Sequence, residues 1–159
     1  MEEKRIGVMT QMSFSSGWFN TKTMNLFVTD QRLIFAFMTK EAKKETERRL
    51  NEKVKGKSFK DRLSIIATHG YQLPEYYHEA SFETIINEHT NNFVIPLDEI
   101  ASIKVKRPKT KDSQGFNKND YFIIKTATKK YRLSPALKGY MEIFNSVLGD
   151  RAKVPKIIL

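Results

Sequence analysis

The segment MNLFVTDQRLIFAFM, residues 24–38, consists of two apolar runs separated by Thr29, Asp30 and Gln31. Leu26 and Val28 share one face of the first run, and Leu33, Phe35 and Phe37 share one face of the second. That is the two-residue period of half-buried strands. Polar turn formers between runs rich in β-branched and aromatic residues predict a hairpin. A further strand is expected before it, from Arg5 to about Ser13, ended by Ser15-Ser16-Gly17.

The period changes from Lys40 to about Thr90. KEAKKETERRLNEK holds no Gly or Pro and is made mostly of good helix formers. Glu45 stands three and four residues before Arg48 and Arg49, the spacings that face each other on a helix. The apolar stripe of this helix is thin: Ala42, Leu50 and Val54. After Gly56, Ser58 is a credible N-cap with Asp61 three residues on. Phe59, Leu63 and Ile66 form the stripe expected to be buried, and His69-Gly70 ends the helix. Pro74 breaks the chain, and Ser81 then reads as the cap of a short helix that makes its contacts through Phe82, Ile85 and Ile86.

Strand composition returns in FVIPL, IASIKVKR, YFIIKTAT and KKYRL. Ile103 and Val105 point one way while Lys104 and Lys106 point the other. The loop PKTKDSQGFNKND separates the middle two strands. A terminal helix is expected from an N-cap at Ser134 and Pro135 to Gly149. Its stripe is Leu137, Tyr140, Met141, Phe144, Val147 and Leu148. The final RAKVPKIIL reads as a short tail, residues 150–159.

Three strands, a helical excursion, four strands and one amphipathic helix predict a mainly β domain, α+β by content. Seven such strands close most economically as an antiparallel barrel or bent sandwich with the last helix across one open end. LFVTDQRLIF resembles the hairpin signature of pleckstrin-homology-like domains of the GRAM type, and VIPLDEIASIKV resembles a later segment of the same domains. The resemblance covers residues 1–39 and 92–149. It implies one domain over 1–159 with residues 40–90 as a helical insertion between strands three and four. The shared residues read mostly as scaffold: Asp30 to hold the turn through its own backbone, Arg32 to pair with an acidic neighbour, Ile100 and Ile103 to face the core. The fold hosts lipid, peptide and protein binders alike, so the resemblance speaks for a binding module without choosing its ligand.

The 159 residues fit one domain able to bury a sizeable core. With no cysteine, neither a disulfide nor a cysteine metal site is possible. No apolar run reaches the length of a membrane span, and the start lacks the apolar stretch of a signal peptide. The expected location is cytoplasmic, with a peripheral position at the membrane as the alternative.

Catalysis finds little support. His69, His78 and His89 are nine and eleven residues apart, which puts no two on one helical face, and no Gly-rich phosphate loop or nucleophile elbow is present. Glu75, Glu79 and Glu83 near His78 read as surface decoration, and no cofactor or metal is expected.

Charge is the better lead. The net charge is +10, and the stretch from Lys104 to Arg132 holds ten basic residues against Asp112 and Asp120. Lys104, Lys106, Arg107, Lys125, Lys129, Lys130 and Arg132 are the candidate contacts for an anionic ligand, gathered by sequential strands near one sheet face. Each cation near an anionic membrane contributes about 1 kcal/mol, screened beyond roughly 8 Å. The competing reading is a solvated face whose lysines discourage edge-to-edge aggregation. A tight phosphoinositide pocket at the first hairpin is disfavoured, because TQMSFSSGWFNTK offers only Lys22. Trp18 and Phe19, with Phe14, are core or an exposed anchor. Together with Leu50 and Phe59 of the insertion, Trp18 and Phe19 are the candidate protein interface, and the insertion is the candidate contact between copies of this chain. Nucleic acid is disfavoured, since the aromatics alternate as core residues and no reader motif is present.

Overall fold

A computed structural model describes residues 2–16, 21–69, 77, 80–108, 116 and 119–155, with the side chains of residues 42, 45, 46 and 66–69 outside that description. The strands are β1 (Arg5–Ser15), β2 (Thr21–Thr29), β3 (Arg32–Phe37), β4 (Phe93–Pro96), β5 (Ile100–Lys106), β6 (Tyr121–Thr126), β7 (Lys130–Ser134) and β8 (Ala152–Lys153). Between β3 and β4 lie α1 (Lys40–Val54), α2 (Phe59–His69) and α3 (Phe82–Asn87), and α4 (Lys138–Leu148) follows β7.

The strands form one sheet in the order β4-β3-β2-β1-β7-β6-β5-β8. The β-rich pieces on either side of residues 40–90 therefore share a sheet, joined where Ser13–Ser15 of β1 pair with Arg132–Ser134 of β7. The expected seven-stranded antiparallel barrel is corrected in two ways. An eighth strand, in the segment read as a tail, runs parallel to β5, with Ile103 opposite Ala152 and Lys104 opposite Lys153. Because β8 occupies the free side of β5, the described sheet ends at β4 and β8 and is open and mixed.

A bulge in β1 makes the shared core possible. On a regular strand, residues three apart point to opposite faces, yet Met9 and Met12 are both fully buried in one cluster. Thr10 and Gln11 lie between the pairs Met9–Leu26 and Met12–Met24, where β2 supplies only Asn25, so the extra residue restores the common face. Gln11 takes a φ of +49° there, and its amide donates to Asn25 Oδ1 at 2.9 Å.

The inner face of the sheet holds Phe14, Leu26, Phe35, Ile103, Phe122 and Leu133, closed over by Met141, Phe144 and Leu148 of α4. Phe144 meets Phe122 edge to face at 5.0 Å. The amphipathic last helix thus covers the core, as expected, but it starts later than Ser134. Ser134 is still paired with Ser13 in the sheet, and the Ala136 amide donates to the Asp120 carbonyl at 2.8 Å. Strand pairing and the burial of Ala136 hold residues 134–137 out of the helix.

The hairpin of β2 and β3 is buried on both faces. Phe27, Ile34 and Ala36 look away from the main core and pack with Tyr77 and Ile85 of the segment between β3 and β4. Ser81 caps α3 by accepting from the Thr84 amide at 3.1 Å. Arg5 lies over the Phe27 and Phe82 rings and donates to the Tyr77 carbonyl, and burial lowers its pKa. The turn residue is Thr29 rather than Asp30: fully buried Thr29 accepts through Oγ1 from the amides of Gln31 and Arg32. Asp30 instead accepts from the Lys4 amide. Arg32 finds two acidic partners, Glu3 and Glu83, each at 2.9 Å. Their hydrogen bonds, Glu3 first, raise its pKa.

The burial expected for Phe59 and Leu63 of α2 is overturned, while the Ile66 side chain lies outside the described residues. Ser58 does accept from the Asp61 amide at 3.3 Å, but Phe59 is 77% exposed and Leu63 is 53% exposed. The thin stripe of α1 offers too little apolar surface to cover them, and α1 and α2 pack chiefly on each other.

A candidate anionic-ligand surface on the outer sheet face

Alternation along β5, β6 and β7 sends Ile103, Val105, Phe122, Ile124 and Leu133 inward. Their neighbours necessarily face outward. Cross-strand register arranges those neighbours in rows. One row runs Lys153, Lys104, Ile123, Arg132, Ser15 and Thr21, across β8, β5, β6, β7, β1 and β2. On one side of it lie Ser102, Lys125 and Lys130, and on the other Lys106 opposite Tyr121. Six cations thus share the face: Lys104, Lys106, Lys125, Lys130, Arg132 and Lys153, all of them exposed. None of these rows contains an acidic residue.

Arg132 lies over an aromatic ring of the same face. Its guanidinium carbon lies 3.9 Å from the centre of the Tyr121 ring, a cation–π contact on the outer face. Next to it opens a shallow concavity of about 620 Å³ lined by Ser13, Ser15, Thr21, Ile123, Lys130, Arg132 and neighbouring residues. Hydroxyl and guanidinium donors around an open hollow suit an anionic oxygen ligand.

Two of the seven sequence candidates stand apart. Arg107 is tied to Asp120: its Nε donates to Oδ1 at 2.9 Å and its Nη2 to Oδ2 at 3.2 Å. The hydrogen bond to Asp120 raises the Arg107 pKa. Lys129 sits in the β6–β7 turn, where its amide donates to Thr126 Oγ1 and its carbonyl accepts from the Thr126 amide. Its exposed side chain borders the face without belonging to the rows. Lys153 was missed because a two-residue strand has too short a pattern to be read.

The interface candidates divide. Trp18 and Phe19 lie outside the described residues. Phe14 is buried among Phe35, Phe37, Phe93 and Tyr131, with ring centres 5.6–5.8 Å away. Leu50 is half-buried and Phe59 stands in solvent. Of the residues weighed for catalysis, His78, Glu75, Glu79 and the His69 side chain are outside the described set. His89 accepts through Nδ1 from the Asn91 amide at 3.0 Å, and Glu83 is the partner of Arg32. Among the described residues no three His, Asp or Glu side chains group as metal ligands, and no helix is long and apolar enough to cross a membrane.

No family model matches the chain, and no curated protein matches it. Among solved structures it is similar to one described as the Vps36 N-terminal PH domain, with 13% sequence identity. That match covers 93% of this chain and 83% of the other, with a TM-score of 0.43.

Proposed function

We propose that the chain is a non-catalytic binding module of the pleckstrin-homology-like, GRAM-type architecture, with the helices between β3 and β4 as an insertion. It engages an anionic partner through the outer face of β5, β6, β7 and β8. The architectural part rests on the hairpin and β4–β5 signatures together with a sheet whose core is covered by the terminal helix. The functional part rests on one observation: six cations in adjoining cross-strand rows with no acidic residue among them. A solvated face chosen only for solubility mixes both signs, as α1 does with six basic and four acidic residues. Here one sign is collected where the strands run side by side. The source of the anion is an acidic protein surface or the headgroups of a membrane leaflet.

Charge-driven binding to a leaflet has a distinct signature. Vesicles of phosphatidylcholine with phosphatidylserine are expected to bind the chain at low salt, and neutral vesicles are not. Affinity falls steeply as salt is added, since the Debye length shrinks from about 30 Å at 0.01 M to about 8 Å at 0.15 M. At about 1 kcal/mol per cation, Lys104→Glu with Lys125→Glu is expected to weaken binding by well over tenfold. No binding at low salt removes the membrane and leaves the acidic protein surface.

A further inference from the structure

The turn between α1 and α2 carries a second surface of different character. Three large apolar side chains among the described residues are exposed, and two of them, Phe59 and Leu63, are four residues apart on α2. Four residues is one helical turn, so the pair forms a single apolar spot. Charge changes at the same place. Lys40–Val54 alternates signs, whereas from Lys55 to Leu63 there are Lys55, Lys57, Lys60 and Arg62 against Asp61 alone. All four cations are exposed.

The backbone turns sharply beside this spot. Gly56 takes a φ of +75°, a left-handed conformation that reverses the chain, and no atom lies within 4 Å of where its Cβ would be. With Ser58 capping α2, the phenyl ring of Phe59 falls at the first position of the helix, beside the turn.

From this placement we infer that the α1–α2 turn docks on a bilayer containing anionic lipid. Phe59 and Leu63 enter the interface, while Lys55, Lys57, Lys60 and Arg62 stay among the headgroups. Each chemical part has its counterpart in that partner. Apolar side chains leave water for the acyl boundary, long cationic side chains reach back to phosphate and carboxylate oxygens, and the net positive charge matches the negative leaflet. The inference uses none of the sheet-face residues, so it stands or falls independently of that surface.

The chain has no cysteine, so Phe59→Cys provides a unique site for an environment-sensitive fluorophore. Its emission is expected to shift to the blue on adding phosphatidylcholine vesicles that contain phosphatidylserine, and to stay unchanged with phosphatidylcholine alone. In the unlabelled chain, Phe59→Ala with Leu63→Ala is expected to lower affinity for the anionic vesicles by about tenfold or more. Circular dichroism should remain unchanged, because both positions are exposed and alanine favours helix. A label that does not shift, or a double variant that binds as before, overturns the inference. So does a shift driven by protein concentration without vesicles, which would assign the spot to a second copy of the chain. If Lys104→Glu with Lys125→Glu abolishes vesicle binding while the label stays silent, the sheet face acts alone and the turn has no membrane role.

Discussion

Asp120 is fully buried, and both of its carboxylate oxygens accept hydrogen bonds from Arg107, whose side chain keeps only 10% of its exposure. The pair brackets the long loop between β5 and β6, while the Asp120 carbonyl also receives the Ala136 amide. Asp120 thus ties its own segment to two others, to Arg107 through its carboxylate and to Ala136 through its main-chain carbonyl. The same pair removes from the candidate surface an arginine that charge counting alone places there.

Separate outcomes for Arg107 and Lys104 follow. Asp120→Asn removes the negative charge that faces the Arg107 guanidinium, and Arg107→Ala removes two charge-assisted hydrogen bonds from the buried Asp120 carboxylate. Either change is expected to lower the melting temperature by several degrees, since the charge-assisted bonds of a buried carboxylate are lost without a replacement of the same geometry. Arg107→Lys should recover little, because an ammonium cannot span both oxygens. Lys104→Glu, on the outer face, should leave the melting temperature nearly unchanged. Thermal unfolding of the variants checks the contrast.

Gly7 sits directly beneath α4. A Cβ at that position would lie 2.7 Å from Ile143 Cδ1 and about as close to the rest of that side chain. Gly7→Ala is expected to cost about 1–3 kcal/mol by pushing α4 off the sheet. In an Ile143→Ala background the same change should be nearly neutral. A double-mutant cycle by urea unfolding reads the coupling, and additive effects would mean that α4 does not rest on this glycine.

Thr29 tests which residue holds the first hairpin. Thr29→Val keeps the shape but removes the oxygen that serves the Gln31 and Arg32 amides and lies 2.6 Å from Glu3. A loss of about 1–3 kcal/mol is expected from the stranded donors. Asp30→Ala removes only an exposed bond to the Lys4 amide, and its cost should be a small fraction of that. The ranking would be reversed if Asp30 organised the turn.

Phe144 tests the covering helix. The ring is fully buried against Phe122, and Phe144→Ala is expected to cost about 3–5 kcal/mol. Leu63→Ala, also on a helix, should cost far less in stability because more than half of its surface is already in water. Denaturant titration of the two side by side separates a core-covering helix from an uncovered one.

Legibility varied with the number of independent signals at each residue. Ile103, Lys104, Val105 and Lys106 announced their faces because strict alternation has one strand interpretation. The hairpin at Thr29 was legible from composition, but not the residue that organises it, since Thr, Asp and Gln are all turn formers. Met9 and Met12 were opaque: a bulge inverts the alternation after it and leaves no sign of its own in the residues. Ser134-Pro135 looked like a helix start by every local rule and lost to strand pairing with Ser13. Phe59 and Leu63 had the spacing of a buried stripe, yet spacing states only that residues share a face, not that anything covers it. The rows of the candidate surface show the same division, because their positive charge was countable while Arg107 and Lys153 exchanged places in them.

By itself, the sequence determined the local periods: which residues prefer strands or helices, which side chains share a face, and the excess of positive charge in the second half of the chain. Those follow from propensity and side-chain spacing within a few residues. The tertiary structure decided which faces found a cover. Tyr77 and Ile85 close the outer side of the hairpin, Asp120 withdraws Arg107, β8 adds Lys153 to the cationic rows, and Phe59 is left in solvent. Each of these depends on the meeting of segments distant in sequence, where burial free energy and pairing geometry outweigh local preference.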